Sequence, residues 1–332
     1  MINPRVLCLG EILWDCLADE LGQSMSEVKS WIRYPGGAPA NVACALTKLG
    51  TSAGFIGCVG EDELGNTLVE LLQAVDVNTI GIQRHKTAPT RQVAVLRSNT
   101  GDRQFVGFMG GDTTTFADTH LQARQLSVDL FNTASFLVTG TLGLAYPETR
   151  QAIEQALALA AQHHLKTLMD INWRPVFWTN PESAKPLILE MLQAVDFLKL
   201  SIEEAEWLFE TTDPRRIAHR HQNVVGVLVT AGEQGCAYWL SGNEGQIPAL
   251  SVTVKDTTGA GDSFVAGFLH QLCQQGIPAL SEPISARQMV LYASAVGALT
   301  TTRMGAIAAQ PTSTEVEAFL QLSSAGAEMS NN

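Results

Sequence analysis

Short apolar runs that read as buried strands alternate along this chain with runs of helical periodicity, and that alternation restricts the fold more than any other feature. Ala53 to Gly60 reads as a strand and Leu64 to Val75 as a helix after an acidic start. Phe136 to Val138 with Glu148 to His163, and Thr167 to Asp170 with Pro186 to Leu192, repeat the pairing. Repeated units of this kind give a mostly parallel sheet covered by helices on both faces, an α/β fold in which ligands bind at the carboxyl ends of the strands. A length of 332 residues suits one large core with a modest appendage, so residues 1–332 are read as a single unit.

The appendage has its own signature. Met25 to Tyr34 mixes Val28, Trp31 and Tyr34 with polar neighbours and fits half-exposed strand. Gln92 to Leu96 and Arg103 to Phe108 read as a strand pair turned by Asn99-Thr100-Gly101-Asp102, which carries hairpin chemistry. Strands from about residues 15–35 and 90–110 are therefore expected to form a small β lid, whose apolar face closes over a ligand or pairs with a second subunit. Upstream, Val6 to Trp14 is apolar apart from Gly10-Glu11 and reads as one buried strand that delivers Asp15 to a surface, either as a turn residue or as an acceptor for hydroxyl groups.

Composition removes several function classes. The net charge is −12, and the clustered Lys and Arg that grip a phosphate backbone are missing, so no nucleic-acid partner is expected. No apolar run approaches the roughly 20 residues that span a bilayer, so no membrane partner is expected either. Met1 to Arg5 runs straight into strand-like Val6 to Leu9 without a charged leader, which points to a cytoplasmic protein. Cys8, Cys16, Cys44, Cys58, Cys236 and Cys273 are scattered and form no Cys-X-X-Cys pair, as expected of buried thiols in a reducing compartment. His219-Arg220-His221 has a spacing that does not put both rings on one helix face and reads as a solvated loop.

Chemistry concentrates in two glycine-bearing stretches. Asp256-Thr257-Thr258-Gly259-Ala260-Gly261-Asp262-Ser263-Phe264 runs into a helix carrying Val265, Phe268, Leu269 and Leu272 on one stripe. A glycine loop feeding a helix start aims unpaired N–H groups outward, where the helix dipole adds to their pull on an anion. Asp262 there can cap the helix, or take a proton from an attacking hydroxyl while the N–H cluster holds a phosphoryl group. Gly36-Gly37-Ala38-Pro39-Ala40-Asn41-Val42-Ala43 is a second glycine pair entering a helix, with an amide able to donate and accept toward hydroxyls.

Together these two stretches resemble the paired signatures of the ribokinase-like (PfkB) sugar kinases, and the resemblance covers nearly the whole chain. Asp170-Ile171-Asn172-Trp173-Arg174-Pro175-Val176-Phe177-Trp178 is similar to a segment of the fructokinase branch. The resemblance implies a three-layer α/β/α sandwich with a small β lid, and an ATP-dependent sugar kinase, most closely a fructokinase. Ribose or 2-keto-3-deoxygluconate kinases of the same family are the alternatives, and a catalytically silent sugar-binding regulatory protein is the alternative from another class.

Residue by residue, the resemblance makes Asp262 the base and the backbone of Gly259, Ala260 and Gly261 the anion cradle. It assigns Asp15, Gly36, Gly37, Asn41 and Arg174 to the sugar, and Ser201, Thr230, Gly232 and Gly235, with Gly259 and Gly261, to ATP. Glu204 would organise the waters of Mg2+, while Asp256, Thr258 and Gly305 would hold K+. Ser201 stands where the family usually has Asn, and Ser201 with Glu204 also has the spacing of a capping box. The small-residue run Ala286 to Thr301 and Arg303-Met304-Gly305-Ala306 would lie beside the adenine. A homodimer through the lid is a further expectation.

Two other phosphate- or nucleotide-binding classes are disfavoured by motif. Gly10-Glu11-Ile12-Leu13-Trp14-Asp15 does not supply the Gly-X-Gly-X-X-Gly of a dinucleotide fold, and the chain has no Gly-Lys pair for a P-loop.

Overall fold

The computed structural model describes residues 3–98, 103–221 and 223–330. The expected turn Asn99-Thr100-Gly101-Asp102 lies outside the described residues. The chain opens with β1 (Val6–Leu9), then β2 (Leu13–Leu21) and β3 (Trp31–Gly36), α1 (Ala38–Lys48), β4 (Ala53–Gly60), α2 (Glu63–Ala74) and β5 (Asn78–His85). β6 (Gln92–Arg97) and β7 (Arg103–Phe108) follow, then α3 (Val128–Phe131), β8 (Phe136–Gly140), α4 (Pro147–Gln162), β9 (Lys166–Asp170), α5 (Ala184–Met191) and β10 (Phe197–Ser201). The last part carries α6 (Ile202–Phe209), α7 (Pro214–Ala218), β11 (Gly226–Thr230), β12 (Cys236–Leu240), β13 (Asn243–Ile247), α8 (Ala260–Gln275), α9 (Pro283–Thr300), α10 (Ala306–Ala309) and α11 (Ser313–Ser330).

Among the described residues, nine strands form the main sheet in the order β13-β12-β11-β10-β9-β8-β1-β4-β5. Pairing is parallel from β5 through β11 and antiparallel at β11–β12 and β12–β13. Both faces are buried, which explains the unbroken apolar strands. Val6 and Cys8 of β1 pack with α1, α8 and α9, whereas Leu7 and Leu9, pointing the other way, pack with α4, α5 and α6. The result is the three-layer α/β/α arrangement. Succession runs outward from β1 in both directions, through β4 and β5 on one side and through β8 to β11 on the other. That reversal opens a crevice at the carboxyl end of β1, the usual place for a ligand in such sheets.

A second sheet, in the order β3-β2-β6-β7, stands over this crevice. Here the reading of Val6 to Trp14 as one strand is corrected. Gly10 N–H ends its ladder on Ile56 O in the main sheet, while Trp14 N–H bonds Arg91 O at the base of β6, so the chain changes sheets between them. Met25 to Ser30 is irregular, and strand begins only at Trp31.

One smaller expectation also changes. His221 is not a solvated loop residue: its ring is buried edge-on against Phe209, and burial holds its pKa below the usual value. All six cysteines are buried and unpaired. Among the described residues no helix is long and apolar enough to cross a membrane.

Candidate active site

Two helix starts meet at the crevice. α8 starts at Gly259, whose φ of +76° lies in the left-handed region and where a Cβ would come within 2.8 Å of Ala306 Cβ. At this helix start Ala260 N–H bonds Thr257 O at 3.3 Å and Ser263 N–H bonds Gly259 O at 2.9 Å, whereas the N–H groups of Gly261 and Asp262 have no intrahelical partner by construction, and Asp262 is the acid among them. α1 starts at Gly37, with φ +103°, where a Cβ would lie 2.5 Å from Glu11 O. That helix points Asn41 at α8, and Asn41 Nδ2 donates to Asp262 Oδ2 at 2.7 Å. The two glycine stretches, 221 residues apart, therefore meet at a single hydrogen bond.

Burial pushes the Asp262 carboxyl up to about 6. The Asn41 bond opposes this rise, Asp170 adds to it, and Lys199 and Arg174 counter it. A carboxyl poised there, half-buried beside helix-start N–H groups, can accept a proton from an alcohol near neutral pH.

Sugar-expected residues line the β2–β3 side. Gly36 faces Asp15 so closely that a Cβ on it would sit 2.4 Å from Asp15 Oδ2. The missing side chain thus makes room for that carboxylate. Arg174 is exposed after β9, and its Nη1 donates to Trp173 O at 2.9 Å.

The nucleotide-expected residues fall on adjacent strand ends. Ser201 and Thr230 are register partners on β10 and β11. Thr230 Oγ1 donates to Leu200 O at 3.1 Å. Gly232 follows with open space about it. Gly235 stands apart, because a Cβ on it would lie 2.0 Å from Ile247 O, and closure of the β12–β13 edge accounts for the glycine. Ser201 and Glu204 form a full capping box: Ser201 Oγ accepts from Glu204 N–H at 3.2 Å, and Glu204 accepts from Ser201 N–H at 2.7 Å. The second Glu204 oxygen accepts from Trp173 N–H at 2.7 Å. Burial, with Asp170 next, raises the Glu204 pKa.

Asp256, Thr258 and Gly305 are drawn into one cluster by the Asp256 carboxylate, which accepts from Thr258 N–H at 3.1 Å, from Thr258 Oγ1 at 2.7 Å and from Gly305 N–H at 2.9 Å. Two concavities outside the crevice, about 540 Å³ beside Trp207 and about 760 Å³ beside Arg5 and Thr51, hold none of the expected site residues.

Sequence reasoning overlooked three charged residues beside the crevice. Glu11, buried, accepts from Ala38 N–H at 3.0 Å, and burial lifts its pKa to about 7. Lys199, also buried, bonds both oxygens of Asp170 at 3.0 and 3.2 Å. Arg91, wholly buried, pairs with Asp118 at 2.7 Å inside a cage of Phe108, Phe116, Tyr146 and Phe177. The signal was available in part: a charge inside an apolar run, as Glu11 and Lys199 are, must be paired or functional to be tolerated.

An acid in the first turn of a glycine-started helix, bonded to an amide at the head of a second such helix, is the layout of a phosphotransferase with an alcohol acceptor. The family model described as pfkB family carbohydrate kinase matches residues 3–313, and the chain belongs to that family. Its relatives narrow the class. A probable fructokinase-2 from Arabidopsis thaliana is 35% identical over 320 residues, covering 96% of both chains. A fructokinase from Xylella fastidiosa, solved with bound ATP, superposes with a TM-score of 0.87 at 29% identity, covering 97% of this chain and 100% of that one. A double-mutant fructokinase from Vibrio cholerae O395, solved with fructose, ADP and potassium ion, gives 0.82 at 27%, covering 96% and 98%.

Proposed function

We propose that this chain acts as a fructokinase, moving the γ-phosphoryl group of ATP to the primary hydroxyl of D-fructose and yielding ADP and D-fructose 6-phosphate. The observation that carries this reading is the 2.7 Å bond from Asn41 to Asp262, which joins a hydroxyl-binding loop to a base beside an anion cradle.

Asp15, Gly36, Gly37 and Asn41 hold the sugar hydroxyls, with Arg174 at the rim. Asp262, with a pKa of about 6, is roughly 90% ionised at pH 7 and takes the hydroxyl proton as the oxygen attacks phosphorus. The N–H groups of Gly259, Ala260 and Gly261 stabilise charge on the phosphoryl oxygens. Ser201, Thr230 and Gly232 border the nucleotide, and Gly235 shapes the loop that does so.

Glu204 fits a water-mediated Mg2+ role. Each of its oxygens accepts one backbone N–H and keeps a further acceptor site for a metal-bound water. When bound, Mg2+ neutralises charge between the phosphates. The Asp256, Thr258 and Gly305 cluster would hold K+ and thereby steady the loop that enters α8. Exposed Leu21, Met25 and Ile32 on or beside the small sheet suit a homodimer through the lid, and the buried free thiols suit a cytoplasmic setting.

The test is ADP release across a panel of fructose, ribose, 2-keto-3-deoxygluconate and nucleosides, run in KCl and in NaCl, with mass by light scattering on the same preparation. Fructose is expected to be preferred by kcat/KM, with higher rates in KCl and a dimer mass. Preference for another sugar overturns the substrate, and no ADP release with any acceptor overturns the enzyme.

A further inference from the structure

Gly261 lies in the first turn of α8 and is not among the glycines with positive φ, so its backbone does not demand glycine. What lies against it is an ammonium group: a Cβ on Gly261 would come within 3.1 Å of Lys199 Nζ, closer than such atoms ordinarily approach. The end of a lysine can normally swing aside. This one is pinned by two hydrogen bonds to Asp170 in a pair whose side chains are only 8% and 6% exposed. A buried pair of this kind is a poor source of stability compared with apolar residues of equal volume, which points to another use.

We propose that Lys199 and Asp170 are a positioning pair for phosphoryl transfer, with the ammonium clamped beneath Gly261 to set fixed positive charge against the N–H cradle and to tune the Asp262 carboxylate. Gly261 is glycine to admit that ammonium. This inference rests on the reading of Asp262 as the base.

The groups that act on Asp262 are known from each element around it. They are Asn41 from α1, Asp170 from the end of β9, Arg174 from the following loop, Lys199 from β10, and Glu11 from the β1–β2 connection. Asp170 raises the Asp262 pKa and Lys199 lowers it, so the two halves of the pair act on that carboxyl in opposite directions.

The test is the pH profile of kcat/KM for fructose, with folding followed by thermal melting. D170N leaves the ammonium uncompensated and should move the acid limb to lower pH by roughly 0.5–1 pH unit. The double variant K199M/D170N buries no lone charge. It should fold, return the limb toward the parent's, and lower kcat about 10–100-fold with the fructose KM little changed. G261A should lower kcat in the parent and cost much less in the K199M/D170N background, because the ammonium it would displace is gone.

If D262N is inactive, yet the D170N profile superimposes on the parent's and G261A costs the same in both backgrounds, this inference alone is overturned. If D170N does not fold, the G261A comparison decides. An active D262N removes the base assignment and this inference with it.

Discussion

Replacing Asp262 by asparagine should destroy catalysis and strengthen the fold, and the structure gives the size of both effects. The side chain keeps its volume, and its amide oxygen can still accept from Asn41, so sugar binding should change little. Without a base, kcat should fall by about 10²–10⁴-fold. Stability moves the other way. The Asp262 pKa is raised from the ordinary 3.8 to about 6, so the fold prefers the protonated acid. That preference stabilises the protein fully below pH 3.8 and is lost as pH rises through about 6, leaving a buried charge that costs at most about 3 kcal/mol at pH 8. Because Asp262 is only half-buried, solvent screening reduces this to about 1–2 kcal/mol. D262N should therefore melt about 1–3 °C above the parent at pH 8, with the advantage shrinking toward pH 4. Parent activity, for its part, should fall to about a tenth of its plateau at pH 5. Coupled-assay turnover and calorimetry across pH 4–8 measure all three. A D262N variant keeping more than a tenth of parental kcat, or showing a stability gain independent of pH, would refute the reasoning.

Two further variants separate structure from chemistry. S201A removes the oxygen that caps Glu204 N–H and should cost about 1 kcal/mol in urea unfolding. Its KM for ATP should rise less than about threefold; a large rise would give Ser201 a direct nucleotide role. R91M strands the buried Asp118 carboxylate and should cost about 3–5 kcal/mol by the same measurement, while a loss below about 1 kcal/mol would mean that the aromatic cage and not the ion pair holds the base of β6.

Much of this protein was decided locally. The strand-like runs from Ala53, Phe136 and Thr167, alternating with runs of helical period, pointed to a parallel sheet with helices on both faces. The capping box at Ser201 and the glycine starts of α1 and α8 follow from adjacent residues, because caps and left-handed turns are short-range chemistry. The chain order therefore settled the parallel sheet, the loops at its carboxyl edge and the acid at the head of α8.

What the tertiary structure decided is which polar side chains distant in sequence meet. Asn41 reaches Asp262, Lys199 reaches Asp170, and Arg91 reaches Asp118 across 221, 29 and 27 residues. Nothing in a strand's periodicity says which charge on another strand will neutralise its own. Likewise, the change of sheet between Gly10 and Trp14 depended on which backbone partner lay closer, Ile56 or Arg91. Burial and electrostatics act through space, so the proton affinity of the proposed base exists only once the sheet, α1 and α8 have closed around it.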